Sequence, residues 1–88
     1  MHYSLKHREH VDKLFTKMAK RDPKLLEIIA KKIDQILEFP YHFKPLRKPL
    51  QGKRRVHIEG CFVLIYSINE KDKEVWIEDF DHHDNVYL

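Results

Sequence analysis

The chain begins with two hydrophobic patterns of different period. Residues 2–6, HYSLK, alternate weakly between polar and apolar side chains, which predicts a short first strand. From about Glu9 to Arg21 the apolar residues instead fall at i, i+3, i+4 and i+7, the spacing of one face of an amphipathic helix. These residues are Val11, Leu14, Phe15 and Met18. The sequence therefore predicts a first helix soon after the strand.

A second helix is predicted to follow at once. Asp22 is a good N-cap residue, and Pro23 is well tolerated at the first helical position. The apolar stripe that continues from there comprises Leu25, Leu26, Ile29, Ile33, Ile36 and Leu37. The helix stops before Pro40. Because only a short turn around Asp22 separates the two helices, we expect an antiparallel helical hairpin.

Beyond Gly52 the period of the pattern changes to two. Three runs, residues 54–58, 61–68 and 74–80, are separated by turn material at Glu59-Gly60 and at residues 69–73. They predict a three-strand antiparallel meander. The middle run contains FVLIY at 62–66 and is apolar at successive positions. We therefore expect it to be the central strand, covered by the helices.

These elements predict one α+β domain over residues 1–88. The N-terminal strand and the meander form a four-strand sheet, and the helical hairpin packs on one face of it. The other face or an edge is left for a ligand. The segment from Pro40 to Gly52 holds three prolines and a glycine, so it is predicted to be a connector without regular structure.

Composition limits the class of protein. A chain of 88 residues with 42% hydrophobic and 35% charged residues fits one folded domain. We expect neither a membrane span nor a secretory signal, because no apolar run is long enough and Met1 precedes polar residues. Cys61 is the single cysteine and has no disulfide partner within the chain. A reducing cytoplasm is the expected location.

Charge is distributed unevenly along the chain. The formal net charge is +3, yet residues 41–58 contain no acid at all. The cations in that stretch are Lys44, Arg47, Lys48, Lys53, Arg54 and Arg55. A solvated charged surface is one explanation. Contact with an anion, with nucleic acid as the first candidate, is the other.

The C-terminal residues 81–87, DHHDNVY, concentrate titratable groups. His82 and His83 lie among aspartates that are competent metal ligands, but adjacent side chains on a strand point to opposite faces, and the spacing matches no common metal motif. No metal site is therefore assigned. An imidazole is also suited to acid-base catalysis near neutral pH. A polar chain end without a function is the third reading.

His57 lies in the first strand of the meander. Alternation places it on the opposite face from Val56 and Ile58 and on the same face as Arg55. An imidazole beside a guanidinium on an exposed sheet face is suited to phosphate chemistry. An ordinary surface histidine is the alternative.

The order of elements, together with four motifs, resembles the RelE/ParE toxin superfamily and its YafQ-like branch. The motifs are KPLQG at 48–52, RVHIEG at 55–60, FVLIYSI at 62–68 and HHDNVY at 82–87. The resemblance spans essentially the whole chain. It implies a RelE-like fold and a cytoplasmic toxin of a type II toxin-antitoxin pair that enters the ribosomal A site and cleaves messenger RNA. An antitoxin, the ribosome and mRNA are the implied partners, with no membrane and no cofactor.

The resemblance also implies roles for individual residues. His83 matches the catalytic histidine of the branch, His57 matches a second active-site histidine, and Tyr87 matches a terminal aromatic that holds substrate. Metal-free RNA cleavage needs a proton donor, a proton acceptor and positive charge. We therefore assign His83 as general acid and His57 as base or phosphate-orienting partner. The RNA-binding candidates are Lys48, Lys53, Arg54 and Arg55.

The sequence departs from the family pattern at several positions. Lys48 stands where a YafQ-like enzyme carries histidine, and Cys61-Phe62 replaces an Asp-Trp pair. Val63 replaces the arginine that RelE has in this strand. Two other functions remain open on sequence grounds. One is a ParE-like toxin that inhibits DNA gyrase, and the other is a non-catalytic module that binds nucleic acid or an antitoxin.

Overall fold

The computed structural model describes residues 2–47 and 52–86, which form one layer of helices against one β-sheet. In chain order the elements are β1 (Ser4–His7), α1 (Glu9–Arg21), α2 (Pro23–Glu38), β2 (Lys44–Pro45), β3 (Lys53–Ile58), β4 (Phe62–Asn69), β5 (Glu74–His82) and α3 (His83–Val86). The predicted α+β class, with a helical hairpin and a three-strand meander, is confirmed.

The helical hairpin turns at Asp22. Its carboxylate oxygen Oδ1 accepts the main-chain N–H of Leu25 at 3.2 Å, and Pro23 occupies the first turn of α2. This side chain satisfies a donor that the helix itself leaves unpaired. The apolar stripes of both helices are buried in the core or packed, partly buried, against it, as their spacing predicts. Within the described ranges, no helix is long and apolar enough to cross a membrane.

The sheet has the strand order β1-β5-β4-β3-β2. Strand β1 runs parallel to β5, and the other neighbouring strands are antiparallel. The dense apolar run at 62–66 therefore lies on the central strand, as predicted. An irregularity between Ile65 and Tyr66 shifts the pairing of β4 with β5 by one residue.

Within residues 2–47 and 52–86 the sheet has five strands, so the prediction of four is wrong by one. Lys44–Pro45 lies in the segment predicted to lack regular structure, but these residues pair with Arg55 and Arg54 of β3. Leu46 continues the contact by donating its N–H to the carbonyl of Lys53 at 2.9 Å. Proline cannot donate to a ladder, but an edge strand needs partners on one side only, so Pro45 is tolerated there.

The last strand also extends beyond the predicted run at 74–80. Strand β5 continues to His82, and the described chain then turns into the short helix α3. The N–H of His83 donates to the carbonyl of Cys61 at 2.8 Å. Glu59 and Gly60 both have positive φ in the turn before Cys61, a conformation that closes tight hairpins and that glycine adopts easily. The β3–β4 turn thus supports the start of α3.

Candidate active site on the open face of the sheet

The face of the sheet away from the helices carries a row of basic side chains. On β3, Val56 and Ile58 are buried in the core, so the residues between them point to the open face. On β2, Lys44 is paired directly with Arg55 and shares its face. The open-face residues are Lys44, Lys53, Arg55 and His57. This alternation is the one that the sequence predicts.

Beneath these polar side chains lies an apolar floor. Val63 and Ile65 of β4 are almost fully buried, with 0% and 5% exposure, although they are not part of the main core cluster. Val63 is paired with His57, and Ile65 with Arg55. The long side chains on β3 therefore cover an apolar surface, which lowers the polarity around the ring of His57.

The rings of His57 and His83 lie together. Their centroids are 5.7 Å apart, and the two planes differ by 25°. His57 lies on β3, and His83 is the first residue of α3. Strands β4 and β5 separate the two residues in the sequence. The structure therefore brings together the two imidazoles to which the sequence analysis assigns catalytic roles. A separation of this size allows both rings to contact one phosphodiester group.

The charges around the pair differ for the two rings. Nη1 of Arg55 lies 3.3 Å from Nε2 of His57. The pKa of His57 is lowered by partial desolvation, and further by the positive charges of Arg55 and His83. Asp84 instead places Oδ1 3.7 Å from Nδ1 of His83. The carboxylate therefore lies beside His83, and the guanidinium lies beside His57.

Two residues that the sequence analysis did not single out hold α3 in place. Oδ1 of Asp81 accepts the N–H of His82 at 2.7 Å and the side-chain amide of Asn85 at 3.1 Å. These bonds connect the end of β5 to the helix that carries His83. A signal was available, because Asp81 and Asn85 both lie within the polar terminal stretch 81–87.

His82 points away from the pair. Its ring meets Phe62 edge-on at 5.8 Å, and Phe62 stacks on Phe80 at 5.2 Å. Among residues 2–47 and 52–86, no group of three or more His, Cys, Asp and Glu side chains is arranged to hold a metal ion. The side chains of the adjacent residues His82 and His83 thus point to different sides, as strand alternation predicts.

The structure does not bring all the proposed RNA-binding residues together. Arg54 lies on the same side of β3 as Val56, where Nη1 donates to the carbonyls of Phe43 at 2.7 Å and Tyr41 at 3.3 Å. It holds the segment after α2 and does not face the histidine pair. Lys48 and Tyr87 lie outside the described residues, so their assigned roles remain predictions.

A second polar cluster occupies the open face near β1. Arg8 contacts Glu78 at 2.9 and 3.1 Å, and its guanidinium lies 4.2 Å from the ring centroid of Trp76. Ser67 donates to the same carboxylate at 2.5 Å. Burial opposes ionisation of Glu78, but the hydrogen bonds from Arg8 and Ser67 outweigh it and lower the pKa of this carboxyl. This cluster is internally satisfied and joins β1 to the sheet.

The chain is similar to known toxins over nearly its whole length. A family model described as the ParE toxin of type II toxin-antitoxin systems, parDE, matches residues 2–87. A candidate RelE4 toxin of Methanocaldococcus jannaschii is 45% identical over 85 residues, which cover 97% of this chain and 90% of the relative.

Solved structures show the same fold at low sequence identity. A mutant of the E. coli toxin RelE in the free state has a TM-score of 0.79 and 17% identity, covering 98% of this chain and 88% of its own. A chain of the E. coli DinJ-YafQ toxin-antitoxin complex gives a TM-score of 0.75 and 18% identity, covering 100% of this chain and 100% of its own length. The RelE-like fold expected from the sequence is confirmed.

Proposed function

Because the chain belongs to the RelE/ParE superfamily of type II toxin-antitoxin toxins, we propose that it is an endoribonuclease that cleaves messenger RNA on the ribosome without a metal cofactor. The observation that carries the proposal is the stacked pair of His57 and His83 at 5.7 Å on a basic face. The histidine pair supplies a proton acceptor and a proton donor at one location, which RNA cleavage requires.

The proposed reaction uses the 2′-hydroxyl of the RNA as its nucleophile. Nε2 of His57 takes the proton of that hydroxyl, and the oxygen forms a bond to phosphorus. The bond from phosphorus to the 5′-oxygen breaks, and His83 gives its proton to this leaving oxygen. The products are a 2′,3′-cyclic phosphate and a 5′-hydroxyl end, so no oxidant or reductant is consumed.

The open-face cations stabilise the charge that develops on phosphate. Arg55 lies beside His57, and Lys44 is paired with Arg55 across the β2–β3 ladder. Positive groups fixed in advance around a developing negative charge are among the largest contributions to catalysis. Lys53 shares this face and is assigned to the RNA backbone farther from the pair. Lys48 and Tyr87 complete the proposed set, with Tyr87 holding a base by stacking.

The proposal is tested with purified protein, programmed ribosomes and end mapping of the messenger. We expect His83→Gln and His57→Gln each to lower the single-turnover cleavage rate about 10²- to 10⁴-fold, the usual contribution of general acid-base catalysis. His82→Gln is the matched control, because His82 is adjacent in sequence but packs on Phe62. Parental cleavage by His83→Gln, or equal losses in all three variants, contradicts the proposal.

Gyrase inhibition is the second candidate function, because the matching family model carries the ParE description. A gyrase supercoiling assay run beside the cleavage assay separates the two. Under the main proposal the protein cuts ribosome-bound mRNA and leaves supercoiling unaffected. Inhibited supercoiling with intact mRNA favours the second function. If neither activity occurs, a non-catalytic binding module accounts better for the chain.

We include an antitoxin among the partners of this protein. The matching family belongs to toxin-antitoxin systems, and the YafQ neighbour is in complex with DinJ. An antitoxin that neutralises the proposed activity has to block access to the histidine pair or compete for the open-face cations. Acidic residues in such a chain would complement Lys44, Lys53 and Arg55.

A further inference from the structure

The contact between Arg55 and His57 constrains the protonation of the histidine ring. Nη1 of Arg55 is 3.3 Å from Nε2 of His57. A guanidinium has only donors and stays protonated in proteins. Nε2 must therefore be the acceptor in this contact, and a neutral ring with Nε2 as acceptor carries its single proton on Nδ1.

We propose that Arg55 is a positioning residue that keeps His57 neutral in its Nδ1–H tautomer, with Nε2 as the atom that accepts a proton. This deepens the proposed function and rests on it, because the tautomer has a use only where His57 acts as a base. It separates the two histidines by role. His57 accepts a proton at Nε2, whereas His83 lies beside the carboxylate of Asp84.

The groups that face His57 support a neutral ring. Arg55 lies on its own strand, His83 on α3, and Lys44 on β2 beyond Arg55. Asp81 of β5 is the acid on the same row, but β4 lies between, and its carboxylate accepts bonds from His82 and Asn85. Asp84 of α3 lies beside His83, and the charges that act on His57 are those of Arg55 and His83. The lowered pKa of His57 is consistent with this arrangement.

Binding of a substrate phosphate to Arg55 also changes the contact between Arg55 and His57. A guanidinium frequently binds phosphate through two parallel hydrogen bonds to charged oxygens, a stronger contact than its single hydrogen bond to a neutral imidazole. A substrate phosphate that engages Arg55 therefore draws Nη1 away from Nε2 of His57. The base is released at the moment when the RNA backbone is in place, so Arg55 couples substrate binding to exposure of the base.

The tautomer is measured in the free protein by long-range ¹H–¹⁵N NMR on the full chain labelled at histidine nitrogen, with His57→Gln to assign the signals. We expect wild-type His57 to show a protonated Nδ1 and an unprotonated Nε2, and to titrate below the ordinary imidazole value of 6.5. In Arg55→Met we expect the Nε2–H tautomer and a titration midpoint that moves up. Arg55→Lys keeps the charge and a donor, so it restores part of both effects.

Lys53→Met is the matched control. It removes an equal charge from the same face of β3, two residues from Arg55, and leaves the contact with His57 intact. A wild-type His57 in the Nε2–H form overturns the proposal whatever the variants do. An Arg55→Met protein with unchanged tautomer and midpoint, or a Lys53→Met protein that shifts equally, also overturns it.

A cleavage profile against pH separates this inference from the proposed function. If the protein cleaves RNA, Arg55→Lys should move the acidic limb of the rate profile upward, whereas a merely structural loss lowers the rate equally at all pH values. If the tautomer is as expected but no RNA is cleaved, the proposed function fails while the Arg55–His57 assignment holds. If RNA is cleaved but the tautomer is Nε2–H, the role of Arg55 and the choice of Nε2 as the accepting atom fail, while the cleavage activity stands.

Discussion

The hydroxyl of Tyr66 donates a hydrogen bond to the main-chain carbonyl of Pro40, and the two oxygen atoms are 2.5 Å apart. Tyr66 is fully buried on the central strand, so the bond fastens the segment after α2 to the middle of the sheet. Burial raises the pKa of Tyr66 to about 12, although the charge of Arg54 acts in the opposite direction. The folded protein therefore keeps this phenol protonated where an unfolded chain begins to ionise.

Tyr66→Phe should lower the free energy of unfolding by about 1–3 kcal/mol at neutral pH, because the carbonyl of Pro40 loses its partner in a buried position. The contribution of the phenol is complete below its ordinary pKa of 10.0 and is lost as the pH rises towards 12. Urea unfolding across this range should therefore be flatter against pH in the variant. Tyr3→Phe, which removes an exposed hydroxyl bonded to Glu70, is the control at neutral pH. Equal losses in both variants would contradict the assignment.

Of the two neighbouring arginines on β3, Arg54 should stabilise the fold, whereas Arg55 should act mainly in RNA cleavage. Arg54→Met removes the donor to the carbonyls of Tyr41 and Phe43, and we expect a loss of about 1–3 kcal/mol in the free energy of unfolding. Arg55→Met should change stability by less than about 0.5 kcal/mol, the usual range for surface substitutions, but should lower RNA cleavage. Denaturant unfolding and single-turnover rates measure the two effects. A larger loss of stability in Arg55→Met would reverse the assignment.

Asn85 should act on catalysis through the placement of α3. Asn85→Ala removes the bond to Asp81 and loosens the helix that carries His83. A displacement near 1 Å can cost about 10²-fold in rate, so we expect kcat to fall by up to that factor with little change in KM. Asn69→Ala removes a turn hydrogen bond to Asp72 at the other end of β4 and serves as the control. An unchanged kcat in Asn85→Ala would show that α3 is held by other contacts.

Lys53 should contribute to RNA binding through charge alone. The logarithm of the binding constant falls with the logarithm of salt concentration by about 0.7 for each single-strand phosphate neutralised. Lys53→Gln should reduce this slope by about that amount for a single-stranded RNA. Lys31→Gln, on α2 in the helix layer and paired with Glu27, is the matched control. A slope that is the same in wild type and Lys53→Gln would remove Lys53 from the RNA contact.

Most secondary structure was predictable from the sequence because it depends on local spacing. The apolar residues from Val11 to Met18 and those from Leu25 to Leu37 each fall on one face of a helix. The Asp22-Pro23 pair marks the junction between the two helices. The doubly apolar run at 62–66 identified the central strand, since residues on both of its faces are buried. Alternation along β3 was enough to place His57 and Arg55 on one face.

Edge and terminal structure was not predictable in the same way. Strand β2 exists only because Lys44 and Pro45 find partners on β3, and two residues carry no periodicity of their own. Helix α3 is too short to have a pattern, and its start depends on the carbonyl of Cys61 in a different turn. Long-range hydrogen bonds decide both elements.

The sequence by itself determined the elements, their order and the residue types available for phosphate chemistry, because these depend on period, capping and composition. Only the tertiary structure decided what each side of β3 faces. Arg54 and Arg55 are the same residue type at adjacent positions. Arg54 lies on the side of β3 that faces the core and the segment after α2, and Arg55 lies on the side that faces the open surface. It likewise decided that His57 and His83 meet, since residues 26 positions apart are brought together by the pairing of three strands and by the turn that supports α3.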